Sequence, residues 1–278
     1  MSGAQKSTAA ITEAYYDSRD ADEFYYNVWG GEDIHIGIYT GPGDSIYDAS
    51  RRTVEQMIAR VPPISAETRA LDLGSGYGGA ARTLAERFGC QVTCLNLSGV
   101  QNQRNRARTA ELGLNALVDV VHGRFEEIPL PDDAFDLVWS QDAILHSDNR
   151  CRVLAEIRRV LAPGGQLVFT DPMQSDDCPP GVLQAVYDRI HLESLSSFGS
   201  YRRTLRELGF VDIECIELTE HLVLHYSRVS EELSRRYDEM VERASRSYVD
   251  NMLEGLSRWV EAGQRGYLAW GIIACRGG

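Results

Sequence analysis

LDLGSGYGG, residues 71–79, is the stretch on which the fold of this chain turns. An apolar run ends in Gly74-Ser75-Gly76, and glycines there permit a tight strand-to-helix turn that a ligand can approach closely. Outward from it, short β-rich runs alternate with helical ones. Residues 69–73 read as a first strand and 79–88 as a helix, then 91–95 as a strand and 101–112 as a helix. Residues 116–121 and 135–139 give two more strands, 148–161 a helix ended by Pro163-Gly164-Gly165, and 166–170 a fifth strand. The alternation predicts an α/β fold with a mostly parallel sheet and helices on both faces. Ligands of such sheets sit at the strands' carboxyl ends, so the loops after residues 73, 95, 121, 139 and 170 are where a site is expected.

Two segments lie outside this pattern. The first 60 residues carry Tyr15, Tyr16, Tyr25, Tyr26 and Trp29, followed by GGEDIHIGIY. Residues 228–260 are charged and helical in pattern, and 268–275, LAWGIIAC, return as a final strand. We read 1–278 as one domain: an N-terminal lid over 1–60 and a core over 61–278 with a helical insertion at about 226–262.

Composition excludes several classes. The hydrophobic fraction of 43% and charged fraction of 25% are those of a soluble globular protein. A net charge of −13 without a basic cluster repels nucleic-acid phosphates and anionic lipid, so neither is an expected partner. The N-terminus lacks a secretory pattern and no apolar run nears about 20 residues, which predicts a cytoplasmic protein. Six scattered cysteines without a histidine cluster read as buried thiols, and no metal site is expected.

Gly74, Gly76 and Gly79 satisfy G-x-G-x-x-G, a spacing that by itself leaves nicotinamide and adenosylmethionine cofactors open. Asp72 favours the second. A diphosphate is repelled by a carboxylate at that place, whereas the ammonium of a methionine moiety is attracted. D-x-G-x-G here resembles the first motif of class I S-adenosylmethionine-dependent methyltransferases, which implies a Rossmann-like fold with a seven-stranded sheet and an N-terminal helical lid. In that family the second strand ends in an acid that holds the ribose; Asn96 stands there in this chain, followed by Leu97, and lacks the charge. Arg124 and Phe125 occupy the loop that flanks the adenine, where an ordinary polar turn is the competing reading.

SQDAILHS, residues 140–147, follows the fourth strand. Gln141 and Asp142 are expected to emerge beside the cofactor, with His146 one helical turn further. Asp142 could instead cap a short helix while His146 packs beneath the lid. SQDAILH resembles the matching segment of phosphoethanolamine N-methyltransferases, in which an Asp and a His line the amine site and a lid tyrosine pairs with the His; Tyr15 or Tyr16 is the counterpart. A resemblance over nearly the whole chain is to the bacterial sarcosine/dimethylglycine N-methyltransferases of glycine betaine synthesis. It rests on YYNVWGGEDIHIGIY, DASRRTVE, LDLGSGYGG, FDLVWSQD, FTDPMQSDDCP, DRIHLES, YRRTLRELGF and GYLAWGI. It implies S-adenosyl-L-methionine as methyl donor, S-adenosyl-L-homocysteine as product, and a small zwitterionic amine as acceptor.

Such a pocket needs donors for a carboxylate and an aromatic or mildly acidic end for the amine. Tyr16, Tyr26, Trp29, Trp139 and Tyr267 are candidates for the aromatic end, and Tyr26 also for the cofactor. Pro172 and Met173, after the fifth strand, offer apolar walls suited to a methylated amine. Arg189, Arg202 and Arg203 are candidates for the carboxylate, with His191 and His35 ranked below them. Other open readings are a different small-amine acceptor, a nicotinamide oxidoreductase, and a non-catalytic adenosylmethionine-binding protein. Oligomeric state is left at monomer or homodimer.

Overall fold

In the computed structural model, which describes residues 8–189 and 192–278, the chain opens with two short helices, α1 (Thr8–Tyr16) and α2 (Arg19–Phe24). A π-helical turn over Tyr25–Trp29 and the helix α3 (Ile46–Ile58) follow. The alternating core then runs β1 (Arg69–Leu73), α4 (Gly79–Phe88), β2 (Gln91–Asn96), α5 (Gly99–Glu111), β3 (Val118–His122) and β4 (Phe135–Gln141). After β4 a 3-10 turn, Ile144–His146, leads into α6 (Arg150–Val160), β5 (Leu161–Gln174), α7 (Gln184–Arg189), α8 (Phe198–Glu207) and β6 (Phe210–Glu217). Three helices, α9 (Thr219–Arg235), α10 (Tyr237–Arg243) and α11 (Arg246–Gln264), separate β6 from β7 (Leu268–Gly277).

The strands form a seven-stranded sheet in the order β3-β2-β1-β4-β5-β7-β6. β1 to β5 pair in parallel, and β7 is antiparallel to both of its neighbours. A parallel strand covered on both faces should read as a continuous apolar run rather than an alternating one. β1 does so: Ala70, Leu71, Asp72 and Leu73 are all buried. Local signals set the helix starts. Ser45, Ser98 and Asn149 each accept a backbone N–H of the first turn of α3, α5 and α6. Core packing divides by sheet face, one face against α6 and α8, the other against α3 and α4.

The first five strands fall where the periodicity puts them, with extensions. β4 runs on to Gln141, and β5 begins at Leu161, pairs with Phe135, and shifts register before Leu137 meets Gln166. β6 carries no clear alternating signal, since it exposes Val211 and half-buries Ile213, and the sequence reading does not include it. The α9–α11 helices bury an apolar stripe, among it Tyr226, Val229, Met252, Leu256 and Trp259, in a cluster shared with the N-terminal aromatics. Among the described residues no helix is long and apolar enough to cross a membrane, and no cluster of His, Cys, Asp and Glu could hold a metal.

Candidate active site

Strand order reverses between β1 and β4, and there the loops after the two strands part into a crevice. A cavity of about 710 Å³ fills it. Its floor is the β1–α4 turn, its walls are Asn96, Leu97 and Ser98 after β2, Arg124 and Phe125 after β3, and Gln141, Asp142 and Ala143 after β4. Ala9, Thr12, Glu13 and Tyr16 of α1 line it as well. The β2–α5 turn is held by Asp17, whose Oδ1 accepts from Ser98 Oγ at 2.6 Å and from the Val100 N–H at 3.2 Å. Gly74, at φ 71°, leaves no room for a side chain: a Cβ there would lie 2.4 Å from Ala143 Cβ. The cavity floor is therefore bare backbone.

The crevice continues into a smaller recess lined by Asp72, Ser75, Gln141 and His35. Burial raises the Asp72 carboxyl to about 7, with the charges of His35 and Arg82 opposing and Asp33 reinforcing the rise. Ser75 Oγ and Gln141 Nε2 are buried without hydrogen-bond partners, and Gln141 Oε1 is fixed by the Trp139 indole at 2.8 Å. The Asn96 amide nitrogen donates to Gln101 Oε1 at 3.0 Å, which turns its carbonyl oxygen into the free acceptor. A buried acid, two orphaned donors, a hydroxyl acceptor and apolar walls at Leu97 and Phe125 fit an amino-acid-bearing nucleoside of the adenosylmethionine kind.

A second cavity, of about 450 Å³, opens from the first. Tyr16, Ile34, Asp142 and His146 line both and so form the aperture between them. Beyond the aperture lie Tyr25, Trp29, His35, Ile36, Leu145, Pro172, Tyr226 of α9 and Trp259 of α11. Five aromatic side chains and one carboxylate dominate this lining, and among the described residues it contains no Lys or Arg.

Asp142 sits at φ 48°, a left-handed conformation that Asp tolerates better than most residues. Its Oδ2 accepts from the Ile36 N–H at 2.7 Å and its Oδ1 from the Trp270 indole at 2.8 Å. Burial raises its pKa, against the pull of the Ile36 N–H and the His35 charge. It does not cap the following turn: Ala143 occupies that place, without a side-chain hydrogen bond. His146 is carried by the 3-10 turn rather than a helical face shared with Asp142, and its Nε2 lies 2.9 Å from the Tyr16 hydroxyl. Burial and the Arg150 charge press His146 down to about 4. The turn itself is clamped, because the Leu145 N–H donates to Asp171 Oδ1 at 2.9 Å and the Leu145 carbonyl accepts from Arg150 at 2.8 Å. Asp171 is held in turn by the Tyr201 hydroxyl at 2.6 Å.

The structure thus gathers Tyr16, Asp72, Gly74, Ser75, Gly76, Asn96, Leu97, Arg124, Phe125, Gln141, Asp142 and His146 around one crevice, with Trp29 and Pro172 in the adjoining cavity. Other expectations need correction. Met173 is buried in the core on the opposite face of β5 from Pro172, as strand alternation requires. The π-helical turn directs Tyr25 and Trp29 inward and leaves Tyr26 41% exposed, under the Arg104 guanidinium at 4.7 Å. Arg202 and Arg203 flank the buried face of α8, formed by Phe198, Tyr201 and Leu205, and line neither cavity. Trp139 is wholly buried in the core, and Tyr267 packs against the helical cluster. His191 lies outside the described residues, as does the side chain of Arg189. Sequence reasoning missed Tyr226, Trp259 and Trp270; the last falls within the LAWGI stretch, but the first two sit on helices with ordinary amphipathic patterns.

Residues 71–169 match a family described as a methyltransferase domain. The chain is 52% identical over 265 residues to the sarcosine/dimethylglycine N-methyltransferase of Aphanothece halophytica, covering 95% of this chain and 96% of that one. It is 51% identical over 264 residues to the enzyme of the same name from Halorhodospira halochloris, covering 95% of each. A solved structure assigned as a sarcosine dimethylglycine methyltransferase, from Galdieria sulphuraria, superposes with a TM-score of 0.89 at 42% identity, covering 94% of this chain and 98% of that one.

Proposed function

The chain belongs to the sarcosine/dimethylglycine N-methyltransferases, and from that premise we propose that it methylates sarcosine and dimethylglycine, yielding dimethylglycine and glycine betaine. S-adenosyl-L-methionine is the methyl donor, and when bound it supplies an electrophilic methyl group on a sulfonium. The observation that carries the reading is the second cavity. It is aromatic, holds a carboxylate, and meets the cofactor crevice at Asp142, His146 and Tyr16.

The nucleophile is an amine lone pair, so the acceptor must shed its proton before attack. An enclosed aromatic site favours the neutral amine by desolvation. His146, pressed to about 4, is a poor store for that proton at neutral pH; with Tyr16 it serves to orient the amine. Asp142 supplies the negative charge that draws the cationic acceptor into the aperture and balances the quaternary product. Five aromatic faces add cation–π attraction that does not depend on N–H groups, and it therefore persists as methyls accumulate. Proximity and alignment carry most of the rate. A dianionic phosphate ester would find no Lys or Arg among the described residues of this lining, which weighs against phosphoethanolamine.

We take α1 and α2 as a lid that keeps water from the crevice, on one domain with α9–α11 as its insertion. We also take the enzyme to be cytoplasmic, a monomer or homodimer, without nucleic-acid or membrane partners, as its charge of −13 supports. The test is incubation with methyl-labelled S-adenosylmethionine and, separately, glycine, sarcosine, dimethylglycine and phosphoethanolamine. Label in betaine from dimethylglycine is expected. Label only in phosphoethanolamine products would overturn the acceptor assignment.

A further inference from the structure

We propose that the indole N–H groups of Trp29 and Trp259 bind the carboxylate of the acceptor, a role that rests on the methyltransferase reading and deepens it. Both tryptophans line the second cavity, one from the N-terminal π-helical turn and one from α11. Both are buried, at 5% and 0% exposure, and each indole nitrogen lacks a hydrogen-bond partner. Buried polar groups are nearly always paired, and leaving one unpaired is unfavourable. Two such donors on one cavity of about 450 Å³ point to an acceptor-rich group that enters it.

Tyr226 joins the pair. Its ring stacks on Trp259 at 5.0 Å and meets Trp29 edge-on at 5.4 Å, which fixes both indoles against one spacer. A third donor stands behind them. His225 Nδ1 accepts from the Gly37 N–H, which places the His225 proton on Nε2, and that nitrogen too is buried and unpartnered. Its ring lies 5.3 Å from that of Trp29. The two indoles and His225 are neutral, the His35 imidazole in the same lining faces Asp33 at 3.8 Å, and among the described residues the lining has no Lys or Arg, a set suited to a monoanion rather than a dianion. With Asp142 at the aperture, the cavity is polarised, anionic where the amine must sit and N–H-rich beyond it. A zwitterion of one or two carbons between its charges matches that order.

The test is steady-state kinetics of Trp29→Phe, Trp259→Phe and the double variant, with dimethylglycine and with N,N-dimethylethanolamine, which replaces the carboxylate by an alcohol. Phenylalanine keeps an aromatic face and removes the N–H. Each single change should raise KM for dimethylglycine on the order of ten-fold, the loss expected for a hydrogen bond to a charged group. KM for S-adenosylmethionine should stay within about two-fold, and the preference for dimethylglycine over the alcohol should collapse in the double variant. Calorimetry of betaine and of choline binding to the S-adenosylhomocysteine complex should show the same collapse without turnover. Variants that keep the wild-type KM, or that lose both acceptors equally, would overturn the subsite. A wild-type enzyme that methylates neither sarcosine nor dimethylglycine would instead remove the functional reading, and the subsite with it.

Discussion

The two cavities meet at one aperture but are built in opposite ways, and Asp72 and Asp142, near the ends of adjacent strands, condense the difference. The cofactor crevice is local. Its floor is a single turn of chain, and its acid, Asp72, accepts no hydrogen bond from the described residues, so that burial, reinforced by the Asp33 charge, carries it to about 7. The acceptor cavity is remote-built. Its acid, Asp142, is gripped by the backbone of Ile36 and the indole of Trp270, residues more than 100 positions away in sequence on either side. A site that binds a preformed cation can leave its carboxylate bare for that cation. A site that must hold a small acceptor in line instead fixes its carboxylate first, and it does so by tying together segments the chain keeps far apart.

The comparison can be broken most forcefully at Gly74→Ala. A Cβ 2.4 Å from Ala143 Cβ at φ 71° must displace the post-β4 loop, and a misplacement of about 1 Å can cost on the order of 100-fold. Cofactor affinity and turnover should fall together; near-wild-type binding by calorimetry would mean that the crevice floor is not where the cofactor lies. Asp142→Asn should come next. An amide cannot accept from both Ile36 and Trp270, and one unsatisfied buried donor costs about 1–3 kcal/mol. Thermal unfolding should drop by several degrees, and turnover should fall more than cofactor affinity. Equal stability and activity would deny the clamp.

The pH dependence sharpens the other half. With Asp72 at about 7, the cofactor's ammonium binds the ionised form, which is roughly one-tenth of the protein at pH 6 and three-quarters at pH 7.5. Cofactor affinity should therefore rise about eight-fold across that interval, and Asp72→Asn should be weaker and flat. The sign for the ligand-free protein is the reverse. A carboxyl raised above its unfolded value of 3.8 contributes stability at low pH that is lost as pH climbs through 7. Tyr16→Phe, which removes only the hydroxyl facing His146, should lower turnover by a few-fold and leave cofactor binding unchanged; a loss confined to binding would make Tyr16 a lid contact and no more. Arg202→Gln should change KM for dimethylglycine by less than about two-fold, since α8 keeps that side chain away from the cavity. A large effect there would restore the arginine that the sequence suggested for the carboxylate.

What was legible in the chain follows from the same contrast. Five parallel strands, the crevice and most of its lining could be read because each is a short contiguous signal: an apolar run, a glycine turn, a polar residue just past a strand. Met173 and Pro172 looked equivalent as neighbours, yet a pleated strand sends consecutive side chains to opposite faces, and the face becomes known only when β5 pairs with β4 and β7. Tyr26 was misjudged because a π-helical turn rotates its residues differently from an α-helix, and no spacing rule announces one. The arginines of α8 were misjudged because a positive charge is an obvious partner for a carboxylate, whereas an indole N–H is invisible until its surroundings leave it unpaired.

By itself, then, the sequence determined the α/β core, the cofactor turn with its acid, and the identity of the residues after β4, since backbone propensity and hydrophobic period act over a few positions. The tertiary structure alone decided which aromatic rings converge on the second cavity. Trp29 lies some two hundred residues from Tyr226 and Trp259, and the three share a wall because the helices between β6 and β7 bury their apolar stripe in one cluster with the N-terminal segment.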